Sequence, residues 1–257
     1  MISDDEKIML RNLAEEVAEL ASRPIEMEKK QLWYDHNALK PTRPVVFCDP
    51  ENGWNEIIRR DELLCCSDLA RDWEWSLRRT IFRGSKLKDD SVITPFFDVR
   101  HIAKDSGWGL AERRYGGNDG GSFVWEAPVK SYDQLDLLRY PTITVDAAAT
   151  QDLVEEARET FAGILQVRLR TSWYWTLGLT QTLANLRGLE QIMLDMIDEP
   201  EGLHRMMAFL RDGTIAQLKF LEQKGLLSLN NDDSYVGSGA FGWSIELPAS
   251  EFDGQDQ

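Results

Sequence analysis

The chain has 257 residues, 42% of them hydrophobic and 10% aromatic, enough to bury a substantial core in one large domain or two small ones. A formal net charge of −15 and an isoelectric point near 4.7 set most of the surface against phosphate backbones and anionic lipid. Nucleic acid and membranes are therefore not expected partners. No apolar run approaches the roughly 18 residues needed to cross a bilayer. The opening "MISDDEKIML" lacks the basic start and apolar core of a secretion signal, so a cytoplasmic location is expected. Three cysteines, Cys48, Cys65 and Cys66, give no even disulfide framework, and reduced thiols are expected.

Residues Asp4–Ala21 place Ile8, Leu13, Val17 and Leu20 at roughly helical intervals, with carboxylates in the first turn where the helix dipole favours them. A second helix is expected over Ile25–Leu39, after Pro24 and before "KPTRP", whose prolines cannot continue it. "PVVFCD", Pro44–Asp49, reads as a short buried strand. In Asp68–Gly84, the four-residue spacing of Leu69, Trp73, Leu77 and Ile81 predicts a helix, with Arg71, Arg78 and Arg79 off its apolar face. "VITPFF", Val92–Phe97, is a second strand, and the glycine-rich "RYGGNDGGSFVW" a hairpin or loop. A third strand is expected over Gly163–Leu169. Two helical patterns follow, divided at Pro200 and closed by Gly225, and lead to a fourth strand over Leu226–Asp233. Short apolar strands alternating with helices predict an α/β fold.

The run "DMIDEPEGLHRMMAFLRDGTIAQLKFLEQKG" and the following strand ending in Asp232 and Asp233 resemble the uroporphyrinogen decarboxylase superfamily. "EAPVKSYDQLDLLRYP" is similar to that family's segment between the second and third barrel strands, and "RPVVFCD" to its first strand. The resemblance covers most of Pro41–Trp243. It implies a TIM-type (β/α)8 barrel domain over 41–257, with residues 1–40 as a helical extension outside it. Only four strands are legible where a closed barrel needs eight, so the barrel is expected to be incomplete in this chain.

The likeness also implies a site. In such barrels the chemistry lies at the carboxyl ends of the strands, and "FFDV" resembles the segment whose aspartate faces the substrate's pyrrole nitrogens in the decarboxylases. Asp98 matches that aspartate. Asp98, His101 and Asp232 are thereby the catalytic candidates. Trp173, Tyr174, Asp233 and Tyr235 are the substrate-binding candidates, because they lie at or just past the ends of the third and fourth expected strands. The small residues of "SYVGSGAFGW", Ser234–Trp243, would let backbone approach a ligand closely.

The chain departs from the decarboxylases after the first strand. Their loop carries paired arginines that grip carboxylates, whereas "FCDPENGWNEI" supplies Asp49, Glu51 and Glu56. An anionic substrate would lose charge-assisted bonds of about 1.5 to 3 kcal/mol each. The preferred expectation is thus a methyltransferase-type member acting on a small molecule with a corrinoid-protein partner. Tetrapyrrole decarboxylation is the alternative, and a non-catalytic fragment or binding subunit a third; the uncovered edges of a partial barrel add a homo-oligomer to the expected partners. Methyl-transferring relatives carry zinc ligands, a histidine and cysteines, on later strands. No such cluster is visible in this sequence, so no tightly bound cofactor is expected; zinc and the corrinoid partner belong to a full-length relative.

Overall fold

The computed structural model of the chain describes residues 2–117, 121–236 and 240–246. In chain order its elements are helices α1 (Asp4–Ala21), α2 (Pro24–Asn37), α3 (Trp54–Ile57) and α4 (Asp68–Phe82), which continues into a π-helical turn over Arg83–Leu87. Strands β1 (Phe96–Val99), β2 (Ala103–Asp105), β3 (Arg113–Gly116), β4 (Phe123–Glu126) and β5 (Ile143–Val145) follow. After them come α5 (Ala147–Thr160), β6 (Gln166–Leu169), α6 (Thr180–Arg187), α7 (Leu189–Asp198), α8 (Pro200–Gln223), β7 (Tyr235–Val236) and β8 (Ala240–Phe241). The protein is α/β, with long helices and few, short strands. Among the described residues, no helix is long and apolar enough to cross a membrane.

The described residues divide into two compact units. The first draws on described residues within 2–101, 147–173 and 228–246, the second on those within 102–146 and 174–227.

In the first unit, α1 begins with a capping box. The Ser3 hydroxyl accepts from the Glu6 amide, and the Glu6 carboxylate accepts from the Ser3 amide. The other Glu6 oxygen accepts from the amides of Cys66 and Ser67 at 2.9 and 2.8 Å, so one buried carboxylate closes the starts of both α1 and α4. Bonds from the Ser67 and Ser3 amides hold Glu6 down to about 2. The buried stripe of α1 is Leu10, Ala14 and Val17. Ile8, expected inside, is exposed, because the face turned to the core lies about half a turn away. Trp73 and Leu77 of α4 are buried as their spacing predicts, beside Phe97, Val99, Val154, Ala157 and Phe161. The Phe97 and Phe161 rings lie 4.4 Å apart. Truncating Phe161, which is fully buried, would cost about 3 to 5 kcal/mol.

Of the four expected strands, two form. β1 and β6 pair in parallel, with Phe96 opposite Gln166 and Asp98 opposite Arg168. β1 starts at Phe96 rather than Val92, since upstream backbone is held by side chains. Ile93 N donates to Glu26, and Ser91 N to Asp89, while Pro95 has no amide hydrogen to give. Pro44–Asp49 forms no strand either. Val46 N donates to the Asp90 carboxylate and Cys48 N to that of Asp89, at 2.8 and 2.9 Å, and Asp90 N donates back to Val46 O. Carboxylates stand where a neighbouring strand's carbonyls would be. Leu226–Asp233 likewise runs irregularly into a bend at 231–233, where the Asp232 carboxylate accepts from the amide and hydroxyl of Ser234. Among the described residues the strands form four separate two-stranded pairs and no closed barrel.

β7 and β8 pair antiparallel. A Cβ on Gly242 would lie 1.7 Å from the Asn230 carbonyl oxygen, so this glycine admits neighbouring backbone of its own chain. The other glycines expected there, at 237 and 239, lie outside the described residues.

The second unit contains the glycine-rich hairpin, β3 antiparallel to β4, with residues 118–120 of its turn outside the described residues. β2 pairs antiparallel with β5. The division of α7 from α8 at Pro200 and the left-handed Gly225 after α8, at φ 61°, agree with the sequence reading. The core gathers Val129, Tyr132, Leu138, Leu186, Met206 and Leu210. Within it Arg187 donates to Asp195 at 2.6 and 2.9 Å, and Tyr132 donates to the same carboxylate at 2.5 Å.

Candidate functional site

β1 has two dissimilar faces. Phe97 and Val99 enter the helix-packed core, whereas Phe96 and Asp98 point to the opposite side, as strand alternation requires. On that side Arg168 stacks over the Phe96 ring at 4.0 Å. It also grips Asp98 with Nε to Oδ1 at 2.6 Å and Nη2 to Oδ2 at 3.0 Å. Arg170, two residues on and therefore on the same face, donates to Asp233 at 2.9 Å and to Asp232. Arg168 reaches Asp232 at 3.2 Å and Asp233 at 3.0 Å.

The result is an ionic cluster at the carboxyl end of the parallel pair, built from β1, β6 and the bend after 230. Three carboxylates meet two guanidinium groups, leaving one formal negative charge. Asp98 is the most open member, its side chain 36% exposed against 15% for Asp233 and 17% for Arg168. Burial opposes ionisation of Asp233, but Arg168, a hydrogen bond from Thr94 at 2.7 Å and Arg170 outweigh it and hold this carboxyl below its ordinary value.

His101 follows β1 directly. Its amide donates to the Thr171 hydroxyl at 2.8 Å, its Nδ1 lies 2.9 Å from the same oxygen, and its ring stands 5.5 Å from that of Trp173. Burial lowers its pKa, which keeps the imidazole neutral at pH 7.

The structure thus brings Asp98, Asp232 and Asp233 together and pairs His101 with Trp173 beside the same strand ends. Tyr235 lies in an aromatic group with Phe47 and Phe241. Tyr174 belongs to the second unit, where its hydroxyl donates to Gln217 at 3.1 Å and burial pushes its pKa up to about 12. Arg168 and Arg170 are the members the sequence reading missed. Their signal was present in "QVRLR": two arginines at alternate positions place both charges on one face of a strand.

Among the described residues no three His, Cys, Asp or Glu side chains are placed to hold a metal ion. The three clustered carboxylates are already occupied by arginines, so this end of the strands does not fit a zinc site. No known protein family, curated protein or solved structure matches the chain.

Proposed function

We propose that the protein is an enzyme of the uroporphyrinogen decarboxylase superfamily, of the methyl-transfer type, acting on a small molecule with a corrinoid-carrying partner protein. The ionic cluster of Asp98, Asp232, Asp233, Arg168 and Arg170 at the carboxyl end of β1 and β6 is the observation that carries this reading. A parallel pair covered by helices on one face, with polar side chains gathered at its carboxyl ends, is compatible with a segment of TIM-type barrel wall, where substrate is met at the strand ends. The β1–β6 pair is accordingly read as part of such a wall.

In this reading Asp98, fixed by Arg168 and open on its remaining side, accepts hydrogen bonds from the substrate and orients it. Neutral His101 takes the proton that the methyl acceptor releases as its lone pair forms the new bond to carbon. The corrinoid, presented by its partner protein as a substrate, would supply the methyl group, its bond to that carbon breaking as the new one forms and the bonding pair leaving with the demethylated corrinoid. Both arginines of the cluster are neutralised by carboxylates, which disfavours a polyanionic tetrapyrrole at this end of the strands.

The test is transfer of isotope-labelled methyl from methylcobalamin to small thiols and amines, with uroporphyrinogen decarboxylation assayed in parallel. Transfer without decarboxylation is expected. Decarboxylation without transfer, or neither reaction, contradicts the proposal.

A further inference from the structure

A second concentration of guanidinium groups lies in the first unit, at the C-terminal end of α4. Arg79 stands over the rings of Trp54 and Trp75 at 4.9 and 4.5 Å. Arg83, one turn further on, stands over Phe47 and Trp54 at 5.0 and 5.5 Å. Trp54 is therefore shared by both cations, and its ring in turn meets Phe82 edge-on.

These rings attract the charges without satisfying their N–H groups. The Nε of each arginine is buried and has no hydrogen-bond partner among the described residues. Among those residues Arg79 makes no ion pair, and Arg83 has one carboxylate, Asp49, at 3.6 Å. Asp49 is itself divided, accepting from Trp54 Nε1 at 3.1 Å and from Glu51 N at 3.2 Å. Burial, then the like charge of Arg83, push the Arg79 guanidinium below its ordinary value; Arg100 acts in the same direction and Asp49 against it.

Partly desolvated cations in excess of their counter-charge carry a cost that an anion joining them would offset. In a chain of net charge −15, ample carboxylates were available to neutralise this pair, and one half-engaged aspartate is what stands there. We propose that Arg79 and Arg83 form a binding site for an oxyanion, the carboxylate or phosphate group of a small molecule. The tryptophan rings fix the planes of the guanidinium groups, and the planar forks supply the paired donors that such groups accept. This inference is independent of the reaction proposed above.

Isothermal titration of the full chain with inorganic phosphate and, separately, with acetate tests it, ionic strength being held constant with sodium chloride. Saturable binding of at least one anion is expected, and the tighter of the two identifies the group the site takes. Arg79→Gln should weaken binding at least about ten-fold, the loss expected when a charge-assisted donor pair is removed, and Arg79→Lys should weaken it less. Asp49→Asn, which keeps an acceptor for Trp54 but removes the competing charge, should tighten binding several-fold, and it decides the matter if Arg79→Gln fails to fold. No saturable binding of either anion, or an unchanged affinity in Asp49→Asn, overturns the proposal.

Discussion

Arg168 and Asp98, 70 residues apart in the chain, form a bidentate ion pair because the parallel register of β1 and β6 sets them side by side. The same guanidinium reaches Asp232 and Asp233, so one side chain ties three segments together at the strand ends.

Replacing Arg168 by methionine leaves three carboxylates facing Arg170 alone. The pair is neither fully buried nor freely exposed, so a loss of about 1 to 3 kcal/mol is expected, between the values typical of surface and buried bridges. Urea unfolding followed by circular dichroism measures it. An unchanged midpoint would mean that the cluster contributes nothing to the fold.

In the second unit the ion pair of Arg187 and Asp195 is almost wholly buried, the side chains being 3% and 1% exposed. Asp195→Asn strands a buried guanidinium and should cost about 3 to 5 kcal/mol. Tyr132→Phe removes only one of the donors to Asp195 and should cost about 1 to 2 kcal/mol. The ordering of the two midpoints is the check.

Glu6 and Asp195 both have native pKa values of about 2, Glu6 through backbone amides and Asp195 chiefly through Arg187. A carboxyl depressed in the native state binds protons more readily when unfolded, so its contribution is full above the unfolded value, at about pH 4. It is lost as pH falls toward 2. Unfolding midpoints should hold between pH 7 and 5 and drop below pH 4. In Asp195→Asn the drop should be shallower.

Much of the fold is legible in the sequence where periodicity is long. The bounds of α1 and α4, the division at Pro200 and the turn at Gly225 all follow from spacing, proline and glycine. The first and fourth strands fail because a short hydrophobic run specifies neither burial nor a hydrogen-bond partner: Val46 is exposed, and no residue of Pro44–Asp49 or Leu226–Asp233 is buried. At Val46 and Cys48 the amide partners are the side chains of Asp90 and Asp89, which lie about 40 residues downstream and leave no local trace. The candidate site divides similarly. Asp98, Asp232 and Asp233 were found by their place after expected strands. Their convergence on Arg168 and Arg170 depends on strand register and on the bend at 231–233, neither of which spacing encodes.

The thiols should differ sharply in reactivity. Cys65 is buried and its pKa is pushed up to about 12 by burial and then by Glu74, whereas Cys48 and Cys66 are exposed. Ellman's reagent should modify two thiols in the native protein and the third only after denaturation. Rapid modification of all three would show that the α1–α4 packing around Cys65 is open.

The central claim is that the polar end of β1 and β6 is where the reaction takes place, and Asp98→Asn tests it most directly. The substitution preserves size and one acceptor while removing the charge that Arg168 holds. Methyl transfer from methylcobalamin by this variant, with its fold verified by circular dichroism, is predicted to fall at least about a hundred-fold, as when an essential positioning contact is lost. Transfer at the rate of the unaltered protein would contradict it.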